Sequence, residues 1–103
     1  MPIVVLVTVP PDAARNLART LVEERLAASV NVLPGLQSVY RWEGEVAEES
    51  ETLLLVKTTR ARYDALETRL LELHPYDVPE IVALPIEKGL PEYMTWLTDG
   101  TRF

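Results

Sequence analysis

Two long β-prone arms, residues 29–42 and 45–59, are separated only by Glu43-Gly44, a pair that suits a tight hairpin turn. At about 3.3 Å per residue, an arm of some fourteen residues spans roughly 45 Å. Strands in small domains are usually about five or six residues long, so the outer half of this hairpin is predicted to project beyond the body. Pro34-Gly35 interrupts the first arm, which predicts a bulge or bend and an edge position in the sheet. A projecting ribbon offers unpaired backbone groups to another chain, so association through sheet edges is expected.

The rest of the chain fits around that hairpin. Pro2–Val9 is a nearly unbroken apolar run, Ile3-Val4-Val5-Leu6-Val7, and reads as a central strand. Pro10-Pro11-Asp12 opens a helix to about Ala27, with Ala14, Leu17, Ala18, Leu21, Val22 and Leu26 as its apolar stripe. Thr58 or Thr59 can cap a second helix, Arg60 to Leu73, whose core positions are Tyr63, Leu66, Leu70 and Leu73. Val78–Ile86 reads as a fourth strand. Pro91 opens a short helix that ends near Gly100 and packs through Tyr93, Met94, Trp96 and Leu97. The order strand-helix-strand-strand-helix-strand predicts an α+β, ferredoxin-like domain over residues 1–103: an antiparallel sheet with two helices on one face, plus the C-terminal helix. At 103 residues there is room for one core. Such a fold hosts many functions and selects none.

Charge and composition narrow the classes. A net charge of −6 opposes general affinity for nucleic acid or anionic membrane. No apolar run is long enough for a membrane span. The run Ile3–Val9 has neither a basic segment before it nor a small-residue cleavage site after it, so no secretory signal is expected and a cytoplasmic location is. With no cysteine there is no thiol nucleophile or thiolate metal site. The four glycines fit no phosphate-binding loop, and no serine stands in a nucleophile turn. A non-enzymatic protein with no required cofactor is expected.

The segment His74-Pro75-Tyr76-Asp77-Val78-Pro79-Glu80 carries the only histidine. Its two prolines bias the residues before them towards extended backbone, so its plainest reading is a helix end followed by a rigid linker. A functional reading makes His74, with Glu80 or Asp77, the start of a weak Cu²⁺ or Zn²⁺ site that a second copy would complete. The acids Glu45, Glu48, Glu49 and Glu51 suit hard cations, although a solvated strand that resists aggregation is the commoner role. Tyr40 and Trp42 share a strand face and read first as an interface patch. Lys57 follows an apolar run, either as an anion partner or as a snorkelling strand-end lysine.

Taken together, Asn31, Pro34-Gly35, Ser38-Val39-Tyr40-Arg41-Trp42-Glu43-Gly44, Lys57-Thr58, the His74–Glu80 segment, Leu84-Pro85 and Tyr93-Met94-Thr95-Trp96-Leu97 resemble the divalent-cation-tolerance (CutA) family along nearly the whole chain. The resemblance implies a subunit similar to the PII signalling proteins, assembled as a homotrimer through its sheet edges. It implies binding of divalent cations, copper among them, or of a small ligand at clefts between subunits. The ligand residues it implies are Tyr40, Trp42, Lys57, Tyr76 and Glu80, with His74 and Glu80 as metal ligands. A regulator that binds a small organic anion through Lys57 and Arg41, or a structural trimer acting through a protein partner, are the alternatives. The sequence departs from the family in two places. Val7 stands where a cysteine has been linked to copper, and Leu73 where some relatives carry a second histidine. Any copper site here would rest on imidazole and carboxylate.

Overall fold

The computed structural model describes residues 1–102. Strand β1 (Pro2–Val9) leads through a short 3-10 turn (Pro11–Ala13) to helix α1 (Ala14–Glu23). Strands β2 (Ser29–Trp42) and β3 (Glu45–Thr59) form the hairpin, followed by α2 (Arg60–Leu73), β4 (Ile81–Pro85) and α3 (Pro91–Asp99). The sheet has the order β2-β3-β1-β4, every neighbouring pair antiparallel. This is the expected ferredoxin-like α+β arrangement, with β1 central and β2 at an edge.

Strand alternation divides the sheet into two unlike faces. Val5, Val7 and Val9 of β1 and Leu54 and Val56 of β3 are fully buried beside Leu17 and Leu21 of α1 and Leu66 and Leu70 of α2. Burying a side chain of this kind stabilises the fold by about 1.5–3 kcal/mol. The other face carries Val4 and Leu6 of β1 with Leu53 and Leu55 of β3, all partly exposed. Val82 and Leu84 of β4 share that face opposite Leu6 and Val4, and remain 46% and 45% exposed.

Only residues 52–59 of β3 pair with β1; residues 45–51 pair with β2 alone. The outer ribbon therefore leaves the body, and the molecule is 45 Å long. Leu33 pairs with Leu53 but Leu36 with Glu51, so Pro34 and Gly35 oppose a single residue as a bulge. Because of that extra residue, Leu36, Ser38, Tyr40 and Trp42 share the open face with Leu33.

Several expected boundaries move. Helix α1 stops at Glu23 because Arg25 takes a positive φ of 59°, while the amides of Leu26 and Ala27 cap the carbonyl of Leu21. Leu26 and Ala27 still enter the core, but Val22 does not and is 40% exposed. Thr59 occupies the N-cap of α2 without a side-chain bond, whereas buried Thr58 donates to the carbonyl of Leu26 at 2.7 Å. In α3 only Leu97 is buried; Tyr93 and Trp96 stack on each other at 5.5 Å and face outward. Strand β4 begins at Ile81 rather than Val78, because residues 75–80 form a loop over the open face.

Candidate functional site

That loop and the root of the projecting ribbon enclose a groove of about 720 Å³. Thr8 lies at its floor, Tyr40 and Trp42 of β2 and Glu49 and Glu51 of β3 along one wall, and Tyr76, Asp77 and Glu80 along the other. Strand pairing explains the first wall: Ser38 is opposite Glu49 and Leu36 opposite Glu51, so these residues share a face with Tyr40 and Trp42.

His74 sets the loop. It ends α2 in extended backbone (φ −75°, ψ 133°), as Pro75 requires, and its amide donates to the Leu70 carbonyl at 2.8 Å. The ring is buried, and both of its nitrogens are engaged. The Tyr76 amide donates to Nδ1 at 3.1 Å, which leaves Nε2 to carry the proton and donate to the Thr8 carbonyl at 2.7 Å. The Tyr76 ring lies 4.7 Å from the imidazole, tilted by 49°. One side chain thus ties the end of α2, the strand β1 and the loop together.

Tyr76 extends the chain of bonds across the groove, its hydroxyl donating to Glu51 Oε2 at 2.9 Å. Burial, then the hydrogen bond to the Glu51 carboxylate, pushes the Tyr76 phenol well above its ordinary value. Tyr40 is shifted the same way, by burial first and by its hydrogen bond to Glu49 next. Both phenols are therefore donors rather than anions. The charge of the groove is set by Glu49, Glu51, Asp77 and Glu80; among the described residues no lysine or arginine lines it.

Of the residues singled out from the sequence, Tyr40, Trp42, Tyr76 and Glu80 meet in this groove. Lys57 does not join them within one chain. It lies on the open face near the other end of β3, opposite Val4, with its ammonium on the Asn31 side-chain oxygen. Arg41 points along the ribbon to the Gly44 carbonyl at 3.4 Å. His74 lies beneath the loop, and ligation at either ring nitrogen requires breaking one of its hydrogen bonds. Among the described residues, no three His, Cys, Asp or Glu side chains converge into a metal site. Val7, the position noted above as a departure from the family, belongs to the helix-covered core rather than to the groove. The sequence signalled neither Thr8, whose part in holding His74 is played by its backbone carbonyl, nor the distinct place of Glu51 among the acids of β3.

The family described as CutA1 divalent ion tolerance protein matches residues 3–100 of this chain. The chain belongs to that family. It is 60% identical to the divalent-cation tolerance protein CutA of Thermus thermophilus over 95% of this chain and 96% of the relative. It is 48% identical to the chloroplastic CutA of Arabidopsis thaliana over 97% of this chain and 56% of that longer protein. Its structure superposes on the solved Thermus thermophilus protein with a TM-score of 0.96 at 58% identity, covering 99% of this chain and 100% of the other. A solved PII-like protein CutA from Nostoc matches with a TM-score of 0.92 at 38% identity, covering 99% of this chain and 98% of the other. The groove described above is thus a feature of a CutA chain with a PII-like fold.

Proposed function

We propose that this CutA family member is a non-enzymatic homotrimer that takes positively charged ligands, divalent cations or small molecules, into its acidic groove where copies meet. The observation that carries the reading is the composition of the groove: among the described residues, four carboxylates and no basic side chain. Such a site concentrates cations by its own field and repels anions. Within one chain neither Lys57 nor Arg41 reaches the groove, so what that chain offers there favours a cation over a carboxylate or nucleotide.

Association is supported by the uncovered sheet face, where Val82, Leu84 and Leu33 expose apolar surface next to the groove. Contiguous apolar surface of this kind is usually buried against a partner. Assembly as a trimer follows the resemblance to PII proteins. A second copy would also bring further oxygen or nitrogen donors to the groove, which a metal ion needs and one chain does not converge.

Sedimentation together with a calorimetric Cu²⁺ titration near pH 7 tests both parts. The wild type is expected to sediment as a trimer and to bind Cu²⁺, and Glu80→Gln to keep the trimer and bind more weakly. A monomer, or Cu²⁺ binding unaffected by Glu80→Gln, overturns the reading. Loss confined to His74→Ala, with Glu80→Gln unaffected, would transfer the metal to the imidazole.

A further inference from the structure

We infer that the groove selects an organic ammonium ion, held by ion pairing to its carboxylates and by contact with Tyr40, Trp42 and Tyr76; this rests on the cation-binding reading above and names the class of cation. Glu51 points to a ligand most directly. It is 5% exposed, lines the groove, and receives a hydrogen bond from the neutral Tyr76 hydroxyl. Among the described residues it has no cationic partner. A bound cation would give this mostly buried carboxylate a counter-charge beside its one hydrogen-bond donor.

The form of the groove then favours an organic cation over a bare metal ion. A metal gathers its oxygen ligands within about 2.0–2.6 Å of one point. Here the acids are spread around a space of about 720 Å³, and no trio of donors converges among the described residues. That volume lies within the range of small-molecule pockets, about 300–1,000 Å³. Two phenols and an indole line it, and aromatic faces attract ammonium groups, tryptophan most strongly. Trp42 lines the groove and is 55% exposed, so its ring is open to an arriving ligand.

The other large depression makes a useful contrast. It lies beside α1 and α2 and contains Glu24 and Arg69, which pair with each other through two hydrogen bonds of 2.9 Å. Its Glu24 already has an arginine partner, and among the described residues no aromatic side chain lines it. The groove under residues 75–80 has neither property.

Choline and its uncharged carbon isostere, 3,3-dimethylbutan-1-ol, separate the charge from the shape. With full-length, chelator-treated protein, calorimetry is expected to show choline binding at least tenfold tighter than the isostere. Glu80→Gln, at an exposed loop position, is expected to weaken choline severalfold while thermal melting and the assembled mass stay as in the wild type, and Trp42→Ala to weaken it severalfold, with Trp42→Phe restoring most of the affinity. Glu51→Gln should weaken it further. Equal binding of choline and isostere, or choline affinity unchanged in both Trp42→Ala and Glu80→Gln, overturns the inference. If Cu²⁺ binds in a Glu80-dependent way while choline does not bind, the ammonium assignment fails and the cation-binding reading stands. If choline does not bind and Cu²⁺ binding does not depend on Glu80, both fall. A neighbouring copy that already neutralises Glu51 with its own lysine or arginine would also overturn it, appearing as choline binding only in dissociated protein.

Discussion

The two halves of β3 share a strand and a period-two pattern, yet they do different work. From Thr52 to Thr59 the strand is held between β1 and β2, and its alternate side chains Leu54 and Val56 are completely buried under the helices. From Glu45 to Glu51 it pairs with β2 alone, and the outward valines Val39 and Val46 of the ribbon are each 64% exposed. The inner half is specified by burial and determines whether the subunit folds. The outer half contributes little to that core, and its residues are instead those of the groove and of a surface suited to association. A strand can therefore be continuous in hydrogen bonding and discontinuous in what its residues are for.

The sharpest test of the contrast is truncation of the inner half. Leu54→Ala should cost about 2–5 kcal/mol, since it opens a cavity in a core closed on all sides. Denaturant unfolding measures it directly, and a loss below about 1 kcal/mol would mean that the helix-covered face does not hold the subunit together.

Tyr76→Phe comes next, because the Tyr76 hydroxyl bonded to Glu51 is a tie between the ribbon root and the loop. Removing it leaves a buried carboxylate oxygen without its donor, a loss of about 1–3 kcal/mol. The same contact predicts a pH dependence. The folded-state phenol is raised above its ordinary value of 10.0, so the folded protein holds this proton more tightly than the unfolded chain does. Its stabilisation is complete below pH 10 and declines as pH climbs above it. Alkaline unfolding curves should show that decline in the wild type and a smaller one in Tyr76→Phe.

How much of this was legible in the sequence follows the same division. The inner half and the helices could be read because burial leaves a period: Leu17 and Leu21 or Leu66 and Leu70 recur at helical spacing, and the run Ile3 to Val7 demands cover. The projection of the hairpin could be read from arm length, and the bulge from Pro34-Gly35. What escaped depended on contacts distant in sequence. Nothing local shows that Glu51 is buried while Glu48 is solvated, because the difference is made by Tyr76 folding over from another part of the chain. Nor does composition reveal that His74 spends both ring nitrogens on Thr8 and Tyr76, since one of those partners is a backbone carbonyl and the other an amide. The end of α3 misled for a related reason: Tyr93 and Trp96 have core spacing, but one chain provides no surface to cover them.

The outer half should tolerate what the inner half does not. Val39 and Val46 lie on one face of the ribbon, opposite Glu48 and Arg41. Changing both to threonine, which keeps the β-branch, should alter subunit stability by no more than about 0.5 kcal/mol per site. If the ribbon serves association, sedimentation will show the double variant dissociating at higher concentration than the wild type. Unchanged association would place the contacts on the apolar sheet face alone, around Val82 and Leu84.

The smallest effect is expected at the ribbon tip. Glu43 and Gly44 both have positive φ, 49° and 82°, which gives the two-residue turn the twist that antiparallel strands prefer. Gly44 meets this without steric cost, but Glu43 carries a Cβ in a region that asparagine tolerates better. Glu43→Asn should therefore raise stability by a few tenths of a kcal/mol, at most about 1. It also removes one negative charge from a tip that holds Glu45 and Glu48, so charge relief could produce a gain of the same sign. Glu43→Gln removes that charge while keeping the unfavourable backbone. A gain in the asparagine variant alone assigns the effect to conformation, and equal gains assign it to the crowding of acids. No gain in either means that the tip is decoupled from subunit unfolding, so that the outer ribbon frays before the inner half opens.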